Sequence, residues 1–381
     1  MDTSWRDERL IKTVLMNTLP YVITSRVRLA RNLQGYCFPP TASDRERKAV
    51  FDRVQRAISQ DTYFRSHTMI SLDHAASLDR KLLEEEHLIS HFSAVHGNYR
   101  AVVFSPRRQY PVVLVNEEDH LRIQTFFEGL SLHKAWKAAH IFDRHLQCHL
   151  DYAASRDDGY LTTCPSNAGS GIRASVMLFA PGLIISKRMP TLIRHCIDVG
   201  YTVRGMYGEG SEVQGYVLQI SYQNPREQHA ASILRKLEGL CRCLIEQERF
   251  ARKALFNNPS YKLKRRIRQA QRYLMSTDSM TLKCGQELIA MCRLAVEPGL
   301  HSWRKSVRQP QFRHLQQLNQ LMTRIQPAHI RTYGLRQNKL ERSSSEPIDS
   351  STENALRATL LQHTLGHLCL AGLQNVREKL L

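Results

Sequence analysis

Residues 101–116 read AVVFSPRRQYPVVLVN, two apolar, valine-rich runs on either side of a polar turn. Ala101–Phe104 and Pro111–Asn116 are short enough and β-prone enough to be strands, and the turn at Pro106–Tyr110 predicts that they pair as a hairpin. Upstream, Tyr21–Arg28 (YVITSRVR) alternates like an extended segment, and Glu46–Ser59 has helical period. Downstream, His133–Asp151 again reads as a helix. It is followed by glycine-punctuated stretches at Asn167–Gly171 and Gly205–Gly210, a strand at Gly215–Tyr222 and a long helix at Glu227–Phe256. The order strand, strand, helix, strand predicts an α+β fold. We expect an antiparallel sheet ringed by helices rather than a doubly wound parallel one. From Asn257 onward the pattern is helical: Lys262–Met275, Lys283–Leu294, Gln311–Gln326, and a last helix after the serine-rich stretch Arg342–Thr352. The expected division is a domain over residues 1–256 and a basic helical domain over 257–381.

The 381 residues are 42% hydrophobic and 23% charged, which suits a chain that buries a core rather than a disordered tail. No apolar run is long enough to span a bilayer, and the N-terminal MDTSWRDERLIK has no apolar signal core, so a cytoplasmic protein is expected. Nine cysteines without a CxxC pair fit neither a zinc ribbon nor a secreted disulfide framework, and Cys241 and Cys243 are too close for a zinc knuckle. No metal site is expected. The net charge is +19, of which +12 lies after residue 256. Such a surplus attracts polyanions, whether nucleic acid, nucleotide phosphates or acidic protein surfaces, and by itself does not choose among them.

Five segments carry polar residues with chemical potential. In Thr24-Ser25-Arg26-Val27-Arg28, the two arginines are two apart and so project to one face of an extended segment. Side-by-side guanidinium groups repel unless an anion sits between them, and a phosphate fits that geometry; the structural alternative is a solvated basic edge strand. Asn116-Glu117-Glu118-Asp119-His120-Leu121-Arg122 follows an apolar strand; its bland reading is a strand-end turn with Arg122 pairing Glu118 at helical spacing. Cys164-Pro165-Ser166-Asn167-Ala168-Gly169-Ser170-Gly171-Ile172-Arg173 joins a thiol to a small-residue loop. Its backbone N–H groups can approach an anion, and a helix entering after it would add its positive end. Its glycines match neither the dinucleotide nor the P-loop spacing. Arg204-Gly205-Met206-Tyr207-Gly208-Glu209-Gly210 is a flexible loop with one arginine and one acid, and Glu86-His87-Leu88-Ile89 contains an otherwise ordinary surface histidine.

Taken in this order, TSRVRLARN, NEEDHLRIQ, TCPSNAGSGIRASVM and VRGMYGEGSE resemble the ATP:guanidino phosphotransferases, over a stretch from about Tyr21 to Gln223. The forms LTTCPSNAGSGIRASVM and RGMYGEGSE, with the basic helical last third, are most similar to the bacterial protein-arginine kinase branch. The resemblance implies transfer of the γ-phosphoryl group of ATP, with Mg²⁺, to arginine side chains of proteins. It implies that Arg26, Arg28, Arg122, Arg173 and Arg204 clamp the nucleotide phosphates. Thr24–Arg28 (with Ser25 and Val27), Arg173–Met177 (with Ala174, Ser175 and Val176) and Arg204–Glu209 would line the site, and His87 would lie against the nucleotide. Phosphoryl transfer relies mainly on positioning and charge neutralisation, which five guanidinium groups suit. The acceptor guanidinium, with a pKa of roughly 12.5–13.8, must be gripped by opposite charge and relieved of a proton. The resemblance assigns this to Glu118 as base, Glu209 as orienter and electrostatic partner, and Cys164, whose thiolate would help hold the guanidinium; Glu117 is a supporting acid.

Some features depart from the family. Small-substrate members place a helical domain ahead of the first arginine motif, whereas 23 residues precede Thr24 here, which favours a protein-borne acceptor. Ala168 and Ser170 vary from commoner members but stay small. Many protein-arginine kinases carry an Arg-Asp receptor pair for phosphoarginine at the start of the last helix. Here that pair aligns with Glu353-Asn354, so activation by phosphoarginine is expected to be weak or absent. The branch further implies a homodimer, a separate zinc-binding activator protein, a heat-shock repressor and Clp machinery as partners. One alternative is a kinase of free arginine or another small guanidino compound. Another, of a different class, is a basic nucleic-acid-binding protein, which leaves Glu118, Glu209 and Cys164 without a role.

Overall fold

In the computed structural model of the chain, the described residues are 20–95, 98–105, 111–205, 215–225, 227, 229–258, 263–296, 309–337 and 348–377. The sheet strands in chain order are β1 (Val22–Arg31), β2 (Thr68–Ser71), β3 (Ala101–Phe104), β4 (Val112–Val115) and β5 (Leu121–Glu128). A small pair, β6 (Ala154–Ser155) and β7 (Gly159–Tyr160), precedes β8 (Ile172–Phe179), β9 (Thr202–Gly205) and β10 (Val217–Tyr222). The helices are α1 (Asp44–Gln60), α2 (Ser77–Glu85), α3 (His91–Val95), α4 (Leu132–Gln147), α5 (Pro181–Ile185), α6 (Met189–Asp198) and α7 (Ala230–Asn257). They continue with α8 (Leu263–Ser276), α9 (Leu282–Val296), α10 (Gln309–Arg324), α11 (Pro327–Arg336) and α12 (Ser350–Arg377).

The predicted strand pairing forms, with β3 and β4 antiparallel, Ala101 opposite Val115 and Val103 opposite Val113; the expected turn at Pro106–Tyr110 lies outside the described residues. It sits inside an eight-stranded sheet of order β2-β3-β4-β5-β1-β8-β10-β9, the expected sheet with helices around it. Alternation in β1 gives the sheet two different faces. Ser25, Val27 and Leu29 are buried, and α4 packs on β1 and β5. Thr125, paired with Val27, donates its hydroxyl to the Ala135 carbonyl of that helix at 2.8 Å. On the opposite face, Leu83, Leu88, Ile89 and Ala94 from the α2–α3 region pack on Ile70, Val102, Val112 and Leu114. The rest of that face is occupied by the arginines described below.

Local signals explain the helix limits. Ser43 and Glu46 form a capping box at the start of α1, each side chain bonded to the other's backbone. The predicted helix to Asp151 stops at Gln147, with Cys148 as its cap. The segment after the small-residue loop is the strand β8 rather than a helix, so the expected helix start at the end of that loop is not formed. The predicted Gln311–Gln326 helix is α10, and a further helix that the periodicity did not reveal, α11, starts at Pro327, a residue suited to a first helical turn.

The chain divides into two compact units. The first contains residues up to Leu178, Thr191–Val203 and Gln219–Ile245; the second contains Phe179–Pro190, Arg204–Leu218 and the chain from Glu246 on. In the second unit, Leu274, Leu288, Leu318, Leu321, Ile325, Ile330, Leu356 and Leu361 form a continuous apolar core between α8 and α12. Glu248, fully buried, accepts the Gly182 and Leu183 backbone N–H groups at 2.8 Å and pairs with buried Arg252, which donates to the Phe179 carbonyl at 2.9 Å.

Candidate active site

Strand register brings four of the predicted arginines onto one face of the first unit. Arg28 lies between Arg173 of β8 and Gln124 of β5, Arg26 lies between Ser175 and Phe126, and Arg122 lies opposite Ala30. Burial holds the Arg26 guanidinium well below its ordinary pKa, with Arg122 adding to the effect. Arg28 is displaced in the same direction by burial and then by Arg26, Arg122 and Arg173. Like charges are therefore crowded at a desolvated surface, an arrangement that costs free energy until an anion enters. The Nε atoms of Arg26, Arg28 and Arg122 are buried and have no hydrogen-bond partner among the described residues. Unspent donors of this kind fit the oxygens of a polyphosphate.

The remaining donors of these arginines set their orientation. Arg26 donates to the side-chain oxygen of buried Gln124 and lies 4.9 Å over the Phe126 ring. Arg173 donates to Ser221 Oγ at 3.1 Å. Arg122 pairs with Glu117 rather than with Glu118, correcting the helical-spacing alternative: the two follow a tight strand-end turn, so i,i+4 proximity does not apply. Burial works to raise the Glu117 pKa, but Arg122 prevails and holds it below the usual carboxylate value. Thr24, Ser175 and Met177 share the arginine face by register, whereas Ser25, Val27, Ala174 and Val176 point to the α4 side. Ser25 is structural there, its hydroxyl donating to the Gly129 carbonyl at 2.8 Å.

His87 reaches this face through the end of α2. It adopts a left-handed backbone, φ 58°, at a helix-terminating position usually taken by glycine, and the Leu88 N–H closes the helix onto the Leu83 carbonyl at 2.9 Å. Gln124 Nε2 donates to the His87 and Leu88 carbonyls at 3.2 and 2.9 Å, tying this turn to Arg26. Burial, reinforced by Arg26, pushes the His87 pKa down to about 4, so its imidazole is neutral at neutral pH.

The acid and the thiol come together through a second set of contacts. Asn116, φ 56°, turns the chain after β4, and its side chain donates to the Arg47 and Tyr99 carbonyls at 2.8 and 2.9 Å. Buried Asp119 accepts from Asn32 Nδ2 and from the Thr163 backbone N–H, each at 2.7 Å. The Thr163 hydroxyl donates to the Glu118 carbonyl, also at 2.7 Å. Cys164, the next residue, lies with its Sγ 3.0 Å from Ser166 Oγ. The loop beyond it needs its glycines: Gly171 has φ 66°, and a Cβ there would overlap Arg31 Nη1 and the Ala30 carbonyl. Glu118 itself is exposed at the turn, and its pKa is raised by partial desolvation and by Asp119 and Glu117, with Arg122 and Arg173 pulling the other way.

Arg204 and buried Gly205 end β9, with Arg204 falling in the second unit; Met206, Tyr207, Gly208, Glu209 and Gly210 lie outside the described residues. The roles of Asn32, Asp119, Thr163, Gln124 and Ser221 were not evident from the sequence. Each acts through a partner 36 or more residues away, although the hydroxyl of Thr163 beside Cys164 is a signal that could have been weighed. Among the described residues, no group of three or more His, Cys, Asp or Glu side chains could hold a metal ion, and no helix is long and apolar enough to cross a membrane.

Comparison with known proteins agrees with this geometry. The family model for the ATP:guanido phosphotransferase C-terminal catalytic domain matches residues 48–251. A protein-arginine kinase of Moorella thermoacetica is 36% identical over 314 residues, 81% of this chain and 86% of the relative. One from Syntrophomonas wolfei is 33% identical over 90% of this chain and 91% of its own length. Among solved structures, lombricine kinase superposes with a TM-score of 0.53 at 23% identity, covering 62% of this chain and 67% of that one. The duplicated taurocyamine kinase of Schistosoma mansoni, bound to transition-state analogue components, gives 0.55 at 24% identity, over 64% of this chain and 35% of that one. With its catalytic stretch matched by the family model and most of its length matched by these relatives, this chain belongs to the ATP:guanido phosphotransferase family.

Proposed function

We propose that this protein is a protein-arginine kinase, transferring the γ-phosphoryl group of ATP to arginine side chains of proteins. The observation that carries this reading is the Glu118–Thr163–Cys164 junction in electrostatic reach of Arg122 and Arg173. The names of the relatives at 33–36% identity supply the acceptor class. Arg26, Arg28 and Arg122 would hold the polyphosphate with their unspent donors, and with Arg173 on the same face they would neutralise the charge that spreads over the transferred group. Glu118 would accept the proton of a terminal guanidinium nitrogen as that nitrogen bonds to phosphorus and the bond from phosphorus to the departing ADP oxygen breaks. Cys164 would help hold that guanidinium, and the family resemblance assigns supporting roles to Glu209 at the acceptor and to Arg204 at the phosphates. Mg²⁺, when bound, would supply further charge neutralisation on the phosphates held by these arginines.

The proposal extends to the catalytic domain over residues 1–256, the helical domain over 257–381, homodimer formation and a cytoplasmic setting. It also extends to a separate zinc-binding activator, a heat-shock repressor and Clp machinery as partners. Phosphoarginine mapping by mass spectrometry after incubation with ATP, run in parallel with an arginine-rich protein and with free arginine, tests the central claim. Marks on the protein with no turnover of free arginine support it; turnover of free arginine alone would transfer the reading to the small-substrate alternative.

A further inference from the structure

Helix α8 presents an arrangement of charge that works against its own stability. Its sequence, LKRRIRQAQRYLMS, holds five basic residues and no acid. Leu263, Ile267 and Leu274 are buried, which fixes the rotation of the helix and leaves Arg265, Arg268 and Arg272 exposed as a stripe at i, i+3 and i+7. These three arginines have no ion-pair partner among the described residues. Elsewhere the protein neutralises such faces internally. Arg47 pairs with Asp44 and Lys48 with Asp52 on α1, Lys81 with Glu84 on α2, and Arg242 with Glu238 and Arg249 with Glu246 on α7. Like charges three and four residues apart repel on α8, and Arg265 and Arg266 stand at the helix end where the backbone dipole is already positive.

Apolar side chains flank the stripe. Tyr273 is 43% exposed on one side and Met275 60% exposed on the other. Arginine, tyrosine and methionine together are the residues enriched where proteins meet, whereas a surface that reads only phosphates has no use for an exposed methionine. Guanidinium forks match carboxylates in two-point geometry. We infer that the outward face of α8 is a docking surface for an acidic, partly apolar segment of a partner protein. The inference does not depend on the catalytic reading, because it concerns binding at a separate helix.

The test uses the full chain and a fluorescein-labelled peptide of glutamates with leucine at every fourth position. R265Q/R268Q/R272Q should weaken binding by roughly tenfold, the combined effect of three surface charge pairs, without lowering the Tm or the basal phosphorylation rate. A matched variant, R45Q/R56Q/R65Q, removes the same charge from exposed positions of the first unit and should leave binding nearly unchanged. M275S should weaken binding at high salt, where the apolar contribution remains. Equal losses in the two triple variants would reduce the effect to net charge and overturn the proposal. It would likewise be overturned if the α8 triple variant bound the peptide as the wild type does, or if a single-stranded oligonucleotide of equal charge bound the α8 face more tightly than the peptide.

Discussion

The Thr163 hydroxyl donates to the Glu118 carbonyl at 2.7 Å while its backbone N–H donates to Asp119 Oδ1 at the same distance. One residue thereby holds the turn that carries the proposed base against the segment that carries the proposed thiol, across 45 positions of sequence. Thr163→Val removes only the hydroxyl bond and keeps side-chain shape and the backbone bond to Asp119. We expect kcat for arginine phosphorylation to fall about 3–10-fold, the worth of one net hydrogen bond, with KM for ATP unchanged and Thr163→Ser near wild type. An equal rise in KM for ATP, or no recovery with serine, would make Thr163 a general structural residue.

Glu118→Gln tests the base directly. Loss of a positioned general base should lower the transfer rate roughly 10²–10⁴-fold while nucleotide binding persists. The Glu118 pKa is raised by partial burial, Asp119 and Glu117, so the acid limb of kcat/KM in the wild type should lie above the ordinary carboxylate range. A raised folded pKa favours folding below the unfolded value and loses that contribution as pH rises through the folded value. At neutral pH the ionised carboxylate is therefore a small burden, and Glu118→Gln should melt no lower than wild type. A pH–rate profile whose acid limb is unchanged in the residual activity would move the base elsewhere.

Arg28 stands beside Arg26 and opposite Arg173 in a desolvated setting, so the nucleotide-free enzyme bears a charge conflict that a triphosphate at the proposed site would resolve. ATP at a hundred times its Kd should stabilise the wild type by about 2.7 kcal/mol. Arg28→Met should abolish that shift and also raise the melting temperature of the nucleotide-free protein by roughly 2 °C, through loss of the repulsion. Thermal shift assays with and without ATP measure both effects; a variant less stable than wild type without nucleotide would show that Arg28 is held by contacts rather than crowded by charge.

The sheet was legible because it follows from local alternation. Val102, Val103, Val113 and Leu114 announce the hairpin, and the two-residue spacing of Arg26 and Arg28 places both on one face of β1. The family resemblance then supplied Glu118, Cys164 and His87, which no spacing could single out. What sequence could not supply are the long-range partners. Arg122 takes Glu117 instead of Glu118 because the turn at Asn116 breaks helical spacing, and Asn32 meets Asp119 only because the chain after β1 runs beside the turn after β4. Likewise, the short helices α5 and α6 depend on tertiary partners, such as Glu248 at the start of α5, rather than on a long periodic pattern.

Brief alkylation at neutral pH should mark Cys164 and inactivate the enzyme in proportion, with ATP and an arginine-bearing protein together giving protection. Cys196, Cys241 and Cys292 are buried, and burial pushes the Cys241 thiol far up. Cys37 is exposed, but its hydrogen bond and charge contact with Glu46 raise its pKa. Among the described side chains the informative competitors are exposed Cys148, Cys243 and Cys284. Peptide mapping across a time course separates them, and inactivation that tracks any of those three instead of Cys164 would remove the thiol from the proposed site.

The aligned position of a phosphoarginine receptor, Glu353-Asn354 at the start of α12, is committed to another task. Arg357 is fully buried and donates to the Ile325 carbonyl at 2.9 Å, the Met280 carbonyl at 3.0 Å, Asn354 Oδ1 at 2.7 Å and the Glu353 carboxylate. Both aligned residues thus serve as acceptors for an internal guanidinium, and the only arginine nearby on the helix is turned into the core. A glutamate carboxylate facing an incoming phosphoryl group would repel it, and Arg357 could meet that group only by abandoning four acceptors inside the helical unit. Free phosphoarginine should therefore neither bind this helix start nor stimulate turnover. Arg357→Ala, by contrast, should cost about 3–5 kcal/mol in the helical unit, appearing as an early step in the thermal melt. Calorimetric titration of phosphoarginine decides the first point: saturable binding that is lost on Glu353→Ala, together with a faster kinase reaction, would mean that α12 opens to accept the ligand and that the Arg357 network is a closed state rather than a fixed one.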